Sequence, residues 1–288
     1  MKISPFAPAQ FPTLPPLAGF EMATAEAGVK YKGRTDLWVL RGQPGTQVAG
    51  VFTKNACPGA PIDWSRKALV AKSDGPRLVI VNSGTANVFA GQAGRDAVLQ
   101  TASGAAEIFG ANRDSIQLAS TGVIGVALEA SKLVDQFPAM KLSADGWEAA
   151  ARAIMTTDTF PKGSRQTTII DGTPVTIAGI AKGSGMIAPD MATMLVYIFT
   201  DAKISQADLQ TLLSGLNEKT FNCITVDSDT STSDSLMIAA TGASGVDVTN
   251  NAAFTAALNE VMRDLAHQVV RDGEGATKFV TIDVTGAT

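Results

Sequence analysis

The sequence predicts an α+β fold in which sheets pack together and helices cover the outside. Apolar, β-rich runs and helical stretches alternate in irregular order along the 288 residues. The pair Asp171 and Gly172 between two β-rich runs is typical of a hairpin, which makes antiparallel pairing expected. Because 45% of the residues are hydrophobic, the chain can bury a large core. We therefore expect mixed and antiparallel sheets.

Composition and charge narrow the class of protein. The net charge of −4 provides no basic stripe, so nucleic acid is not an expected partner. No stretch reaches the ~18 uninterrupted apolar residues of a membrane span, and the amino end lacks a signal pattern, so a cytoplasmic protein is expected. The two cysteines, Cys57 and Cys223, lie in apolar surroundings without metal-binding spacing, and we interpret them as buried thiols.

The first half of the chain begins with a proline-stiffened surface arm over residues 1–16. Apolar runs then predict strands at residues 37–40, 48–53 and 77–82. Small apolar residues at helical spacing predict a helix over 93–109 that ends at Gly110, and a second helix over 127–137.

The second half combines the hairpin with three helices. Ser143 is a candidate cap for a helix reaching residue 154, and Ser205 caps another. The longest helical stripe covers residues 251–270 and contains the one histidine, His267, off its apolar face. Strands are predicted at residues 167–170, 174–180, 193–200, 223–226, 235–240 and 279–284.

A loop that turns into a strand holds the candidate reactive residue. Glycines and a proline make the start of residues 182–195 a loop, and β-branched and aromatic residues follow. Thr193 therefore places a hydroxyl where the strand begins, next to the small residue Ala192. In a strained turn that hydroxyl can attack the Ala192 carbonyl and shift the acyl group from nitrogen to oxygen. Water then releases two chains, residues 1–192 and 193–288.

Such a cut would create a catalyst at Thr193. A free α-amino group titrates near pH ~8, so an N-terminal threonine carries its own base. A histidine base is not needed, and His267 is interpreted as an ordinary, partly exposed helix residue.

Residues 182–195 resemble the self-cleavage motif of the ornithine acetyltransferase family, which moves an acetyl group from N-acetylornithine to glutamate in arginine biosynthesis. The resemblance recurs along almost the whole chain, in polar or glycine-rich islands at residues 36–37, 49–55, 82–87, 120–125, 156–159, 227–234 and 271–278. It implies a layered α/β/β/α sandwich of a self-cleaving N-terminal-nucleophile enzyme. It also implies an α2β2 heterotetramer, built from two copies of each cleavage product.

Candidate site residues follow from the chemistry and from this resemblance. Acyl transfer needs donors for an oxyanion, and the family's oxyanion hole falls on Thr121 and Gly122. Lys182 can pair with a substrate carboxylate and Glu274 with an ammonium group. The family's substrate contacts fall on Thr156, Lys182, Thr193 and Glu274, with Thr157 as the alternative to Thr156.

The resemblance implies two half-reactions. Thr193 takes the acetyl group as an ester, ornithine leaves, and glutamate attacks the ester. No metal or organic cofactor is called for, although acetyl-CoA is a possible co-substrate in the first half. Asp227, Asp229 and Asp234 have spacing near that of a calcium loop, but the glycine and glutamate of that loop are missing, so no metal site is predicted.

The sequence also departs from the family. Thr85, Ser228 and Ser233 replace an expected asparagine, glycine and asparagine, and Asp190 replaces an asparagine. The family continues beyond residue 288 through a segment that closes the substrate site, and without it cleavage could survive while transfer would be weak or absent. Two alternatives therefore stay open. One is a hydrolase or aminopeptidase with the same nucleophile, and the other is a catalytically silent fragment or binding protein.

Overall fold

The computed structural model describes residues 2–189 and 194–286. The nine strands of that part of the chain are β1 Phe20–Ala25, β2 Leu37–Gly42, β3 Gln47–Phe52, β4 Arg77–Thr85, β5 Gln117–Val123, β6 Lys162–Ile170, β7 Thr173–Lys182, β8 Leu195–Thr200 and β9 Ser235–Ala240. They form two sheets, one with the order β1-β2-β4-β5 and one with the order β3-β9-β8-β7-β6. The pairs β4–β5 and β8–β9 are parallel and the other neighbours are antiparallel, which confirms the predicted mixed sheets.

In the described part of the chain, three hydrophobic cores lie between neighbouring layers. The central core lies between the sheets, where the rings of Trp38 and Tyr197 meet edge to face with centroids 5.1 Å apart. A second core joins the four-stranded sheet to α2 (Gly91–Phe109), and a third joins the five-stranded sheet to α5 (Gln206–Asn217) and α6 (Ala252–Arg271). The two sheets therefore lie between helical layers, as expected for an α/β/β/α sandwich. The shorter helices are α1 Ala60–Val70, α3 Ala130–Val134 and α4 Trp147–Ala153.

Local signals in the sequence account for several element ends. Helix α2 ends at Gly110, which adopts φ +68°, and the side chain of Ser205 accepts a hydrogen bond from the Asp208 amide at the start of α5. The hairpin between β6 and β7 turns at Asp171 and Gly172, with φ +49° and +80°. Positive φ at both positions is the geometry of a type I′ turn.

Two predicted helices are shorter than expected. Residues 127–137 contain only the helix α3 and a 3-10 turn that begins at Phe137. The expected cap Ser143 exchanges backbone hydrogen bonds with Met22 instead, so α4 begins only at Trp147. Pairing with the edge of β1 thus replaces the first turn of that helix.

Two predicted strands are also wrong. Residue 223 ends a 3-10 turn, Phe221–Cys223, and residues 224–226 are irregular. Residues 279–284 are irregular, and Val280, Ile282 and Val284 are exposed. An alternating pattern forms a strand only when a neighbour satisfies its backbone hydrogen bonds, and no strand of the described residues pairs with this segment.

The interpretation of the cysteines is wrong as well. Cys57 and Cys223 are free and exposed, because they lie in connections between elements, which run over the surface. His267 is partly exposed on α6, as predicted, and its ring meets that of Phe279. Among the described residues, no helix has both the length and the apolar character needed to span a membrane.

Candidate active site

The described site residues gather at one end of the sandwich. Lys182 is the last residue of β7 and pairs with Leu195, the first residue of β8, while β5 ends just after Thr121 and Gly122. At this end the connection after β3 bonds to segments that belong to both sheets. Gly59 donates to the Thr232 carbonyl shortly before β9 (2.9 Å), and Ala60, the first residue of the helix over residues 60–70, donates to the Asn87 carbonyl shortly after β4 (3.4 Å). Ala192 and Thr193, the predicted cleavage site, lie outside the described residues.

The end of β5 accepts only glycine at position 122, directly after Thr121. Gly122 has φ +130° and lies opposite Gly84 in the parallel pair of β4 and β5. A Cβ atom on Gly122 would lie 2.4 Å from the Gly84 carbonyl carbon and 2.8 Å from the Thr85 nitrogen. Thr121 itself is buried. Close packing of the two backbones therefore explains why glycine follows threonine here.

Lys182 is a buried cation, with only 3% of its surface exposed. Burial lowers the pKa of its ammonium, and the positive charge of Lys162 lowers it further, while the carboxylates of Asp158, Asp234 and Glu274 oppose the shift. Within residues 2–189 and 194–286, no carboxylate forms a close ion pair with Lys182 Nζ. This ammonium is therefore available to a negatively charged ligand.

Glu274 stands beside the loop that follows Lys182. Its amide donates to the Ser184 carbonyl at 2.9 Å, and a Cβ on Gly185 would lie 2.8 Å from its carboxyl carbon. The Glu274 side chain is exposed to solvent. The site thus presents a buried positive charge and, close by, an accessible negative charge.

Thr156 joins the same region through its backbone. Its amide donates to Oδ2 of Asp158 at 3.0 Å, and the Gly183 amide donates to Oδ1 at 2.6 Å. Burial by itself would raise the pKa of Asp158, but the charges of Lys162 and Lys182 and these hydrogen bonds hold it well below its usual range. Asp158 therefore stays ionised and ties the Thr156 and Lys182 segments together.

Sequence reasoning missed the buried ion cluster that supports these residues. Lys162 Nζ lies 2.7 Å from Oδ1 of Asp158 and 2.5 Å from Oδ2 of Asp272, and all three side chains are fully enclosed. A signal did exist, since Asp158 and Lys162 are four residues apart and each lies in a polar segment. The contribution of Asp272, 110 residues away from Lys162, required the fold.

Two aspartates support the segments on either side of the predicted cleavage site. Asp227 accepts hydrogen bonds from the amides of Met186 (2.5 Å) and Ile187 (2.9 Å). Asp234 accepts one from the Met194 amide at 2.8 Å, and burial raises its pKa to about 7. The sequence drew attention to these aspartates only as candidate metal ligands, whereas both hold backbone amides.

Comparisons with known proteins identify the family of this chain. The family model described as the ArgJ family matches residues 21–288. The arginine biosynthesis bifunctional protein ArgJ of Ruegeria pomeroyi is 56% identical over 288 residues, which cover 99% of this chain and 71% of the relative. The solved structure of the bifunctional protein ArgJ from Bacillus halodurans has a TM-score of 0.56 and 34% identity, and the match covers 60% of this chain and 91% of that one.

A second solved structure is ornithine acetyltransferase from Mycobacterium tuberculosis, complexed with ornithine. It has a TM-score of 0.53 and 33% identity, and the match covers 60% of this chain and 92% of that one. The layered α+β fold, the site and these similarities define an acyltransferase. More particularly, the chain belongs to the ArgJ family, the acetyltransferases of arginine biosynthesis.

Proposed function

We propose that this protein transfers an acetyl group from N-acetylornithine to glutamate through an acetyl ester on Thr193. The observation that carries the proposal is the buried ammonium of Lys182 together with the carboxylate of Glu274, which lies beside Gly185 in the loop that follows Lys182. Acetylornithine carries an α-carboxylate and a side-chain ammonium, and glutamate carries two carboxylates. A site with one charge of each sign can orient both amino acids.

The reaction first requires a cut between Ala192 and Thr193, giving chains of residues 1–192 and 193–288. Two features support this step. Asp227 and Asp234 hold the backbone amides of Ile187 and Met194, which flank the cleavage segment. In addition, the Bacillus halodurans match covers 91% of that solved chain and 60% of this one, so that chain is about two-thirds as long as this one. Residues 1–192, the expected first cleavage product, also make up two-thirds of this chain.

Each half-reaction passes through a tetrahedral intermediate. In the first, the Thr193 hydroxyl attacks the acetyl carbonyl while the Thr193 α-amine accepts its proton. Thr121 and Gly122 supply donors to the oxyanion. The amide C–N bond then breaks, the proton passes to the leaving nitrogen, and ornithine departs. In the second, the glutamate α-amine attacks the ester and restores the hydroxyl, so no metal or organic cofactor is required.

The proposal also includes a second acetyl donor and an oligomeric state. The names of several relatives include the word bifunctional, and acetyl-CoA could donate the acetyl group in the first half-reaction. Thr193 would then attack a thioester, and the product of the second half would again be N-acetylglutamate. We further propose that two copies of each cleavage product assemble into an α2β2 heterotetramer.

Intact mass measurement and acetyl-transfer assays test the proposal. We expect two chains, beginning at Met1 and Thr193, and N-acetylglutamate formation that requires both acetylornithine and glutamate. A single uncut chain would contradict the cleavage step. Release of acetate at a rate independent of glutamate would instead identify a hydrolase or aminopeptidase with the same nucleophile. Replacing acetylornithine by acetyl-CoA tests the second donor.

A further inference from the structure

We propose that Lys162 is a positioning residue for substrate binding, because it joins the three segments that carry Thr156, Lys182 and Glu274. This inference builds on the proposed function, since it assigns a role to a side chain that lies behind the substrate-binding residues. These three segments are residues 156–159, 182–185 and 272–274.

The Lys162 ammonium is completely enclosed and its donors are used. Its Nζ donates to Asp158 Oδ1 (2.7 Å), to Asp272 Oδ2 (2.5 Å) and to the Phe160 carbonyl (3.4 Å). The Phe160 ring lies 4.8 Å from the same nitrogen. An ammonium without access to water cannot contact a substrate, so Lys162 can influence substrate binding only through other groups of the protein.

The first partner connects the Thr156 and Lys182 segments. The Asp158 carboxylate accepts a hydrogen bond from the Thr156 amide on one oxygen and from the Gly183 amide on the other. Oδ1 of Asp158 is shared between Gly183 and Lys162. If the positive charge of Lys162 were lost, Asp158 would be a buried anion with one fewer partner, and it would shift toward its remaining donors and the charge of Lys182. That shift would displace the Gly183 amide, which directly follows Lys182.

The second partner connects the Glu274 segment. Asp272 follows the last residue of α6, and its carboxylate accepts hydrogen bonds from the Thr159 amide (2.9 Å) and the Thr159 hydroxyl. The Asp272 carbonyl accepts a hydrogen bond from the Ser184 hydroxyl at 2.7 Å. The Ser184 carbonyl in turn accepts a hydrogen bond from the Glu274 amide. A single ammonium therefore connects, through two aspartates, the segments on both sides of the proposed substrate.

Lys162 also acts on Lys182 through its charge. The charged groups that face Lys182 are Asp158, Lys162, Asp234 and Glu274, and Lys162 is the only cation among them. Its charge adds to burial in lowering the Lys182 pKa. Removing that charge should raise the pKa of Lys182, and the loss of carboxylate affinity at alkaline pH should then begin at a higher pH.

The variant Lys162→Met tests this role. Misplaced binding groups can cost a hundredfold, so we expect the KM values for acetylornithine and glutamate to rise tenfold to a hundredfold. The alkaline limb of the glutamate KM profile should move to higher pH. A matched control is Lys132→Met, which breaks an ion pair with Glu129 on the surface and should leave KM and its pH profile unchanged.

A double variant, Lys162→Met with Asp272→Asn, keeps the test informative if the single variant folds poorly. The asparagine removes one uncompensated anion but can still accept a hydrogen bond from the Thr159 amide, so the double variant should fold. If Lys162 positions the site, the KM defect persists in the folded double variant. If both KM values return to those of the wild type, Lys162 is merely structural and the inference is wrong.

A titration that needs no activity separates this inference from the proposed function. The Lys182 pKa can be measured from its 13Cε shift in protein labelled with 13C-lysine, with Lys182→Arg for the assignment. We expect a higher Lys182 pKa in a folded Lys162 variant than in the wild type. An unchanged pKa would overturn the inference, whereas an inactive wild type would refute only the proposed function.

Discussion

The amide of Met194 donates a 2.8 Å hydrogen bond to the carboxylate of Asp234. The two residues meet because they immediately precede β8 and β9, which run parallel as neighbours and begin at the same end of the sheet. Asp234 is fully buried, so this carboxylate supports the chain directly after Thr193 without contacting solvent.

The substitution Asp234→Asn should change the pH dependence of stability. Burial raises the pKa of Asp234 to about 7 in the folded protein, whereas an unfolded aspartate titrates near pH ~3.9. The folded state therefore holds the proton more tightly, and this stabilisation is present at low pH and lost as the pH rises from ~4 to ~7. At 1.36 kcal/mol per unit, the total is roughly 4 kcal/mol.

Urea unfolding at pH 4, 6 and 8 measures this effect. Asparagine can still accept the Met194 amide but does not titrate, so the wild type should lose stability relative to the variant across that range. If the free energy of unfolding depends on pH in the same way in both proteins, Asp234 titrates like an ordinary aspartate and the prediction is wrong.

The substitution Gly122→Ala should destabilise the protein more than Gly125→Ala. Both glycines have positive φ, so each alanine stores about 1–3 kcal/mol of backbone strain. Only at Gly122 does the added methyl meet another backbone, since nothing lies within 4 Å of a Cβ at Gly125. The free energy of unfolding should differ between the variants by about 1–3 kcal/mol. Equal values would mean that the contact with Gly84 relaxes easily.

The variant Lys182→Met should weaken glutamate binding. Removing a charged hydrogen-bond donor costs about 1.5–3 kcal/mol, which corresponds to a rise in KM of tenfold to a hundredfold. Because burial lowers the Lys182 pKa, Lys182 loses its charge at a lower pH than an ordinary lysine does. The wild-type KM for glutamate should begin to rise at that lower pH. That rise should be absent in the variant. Exposed Lys219→Met provides the control, and an unchanged KM in Lys182→Met would exclude a carboxylate contact.

The substitution Gly185→Ala tests the position of Glu274. The new methyl would lie 2.8 Å from the Glu274 carboxyl carbon and Oε1, and this flexible group can move away without disturbing the fold. We expect the KM for acetylornithine to rise severalfold with little change in Tm. Gly215→Ala on α5 is the control, since its Cβ would meet no atom within 4 Å and its φ, like that of Gly185, is not positive. A normal KM in Gly185→Ala would argue against ammonium binding by Glu274.

The variant Thr193→Ala should remain a single chain without acetyl-transfer activity, because the methyl group can neither attack Ala192 nor carry an ester. Thr193→Ser keeps a hydroxyl and should still be cut. Intact mass and N-acetylglutamate formation are the two measurements. A cut alanine variant would refute self-cleavage by this residue.

Local structure followed from local sequence where one interaction dominates. The glycine after α2, the serine cap of α5 and the Asp171–Gly172 hairpin act within a few residues, so their patterns predicted the structure correctly. Residues 279–284 show the limit of such patterns. Their alternation indicates a strand, but a strand also needs a neighbour to accept its hydrogen bonds.

By itself the sequence determined the class of fold and the family, since these depend on residue patterns along the chain. Only the tertiary structure decided that Lys162 meets Asp272 across 110 residues and that a carboxylate supports Met194. The physical reason is that burial and pairing of charges depend on which elements pack together. A side chain's neighbours in space are not encoded in the residues beside it.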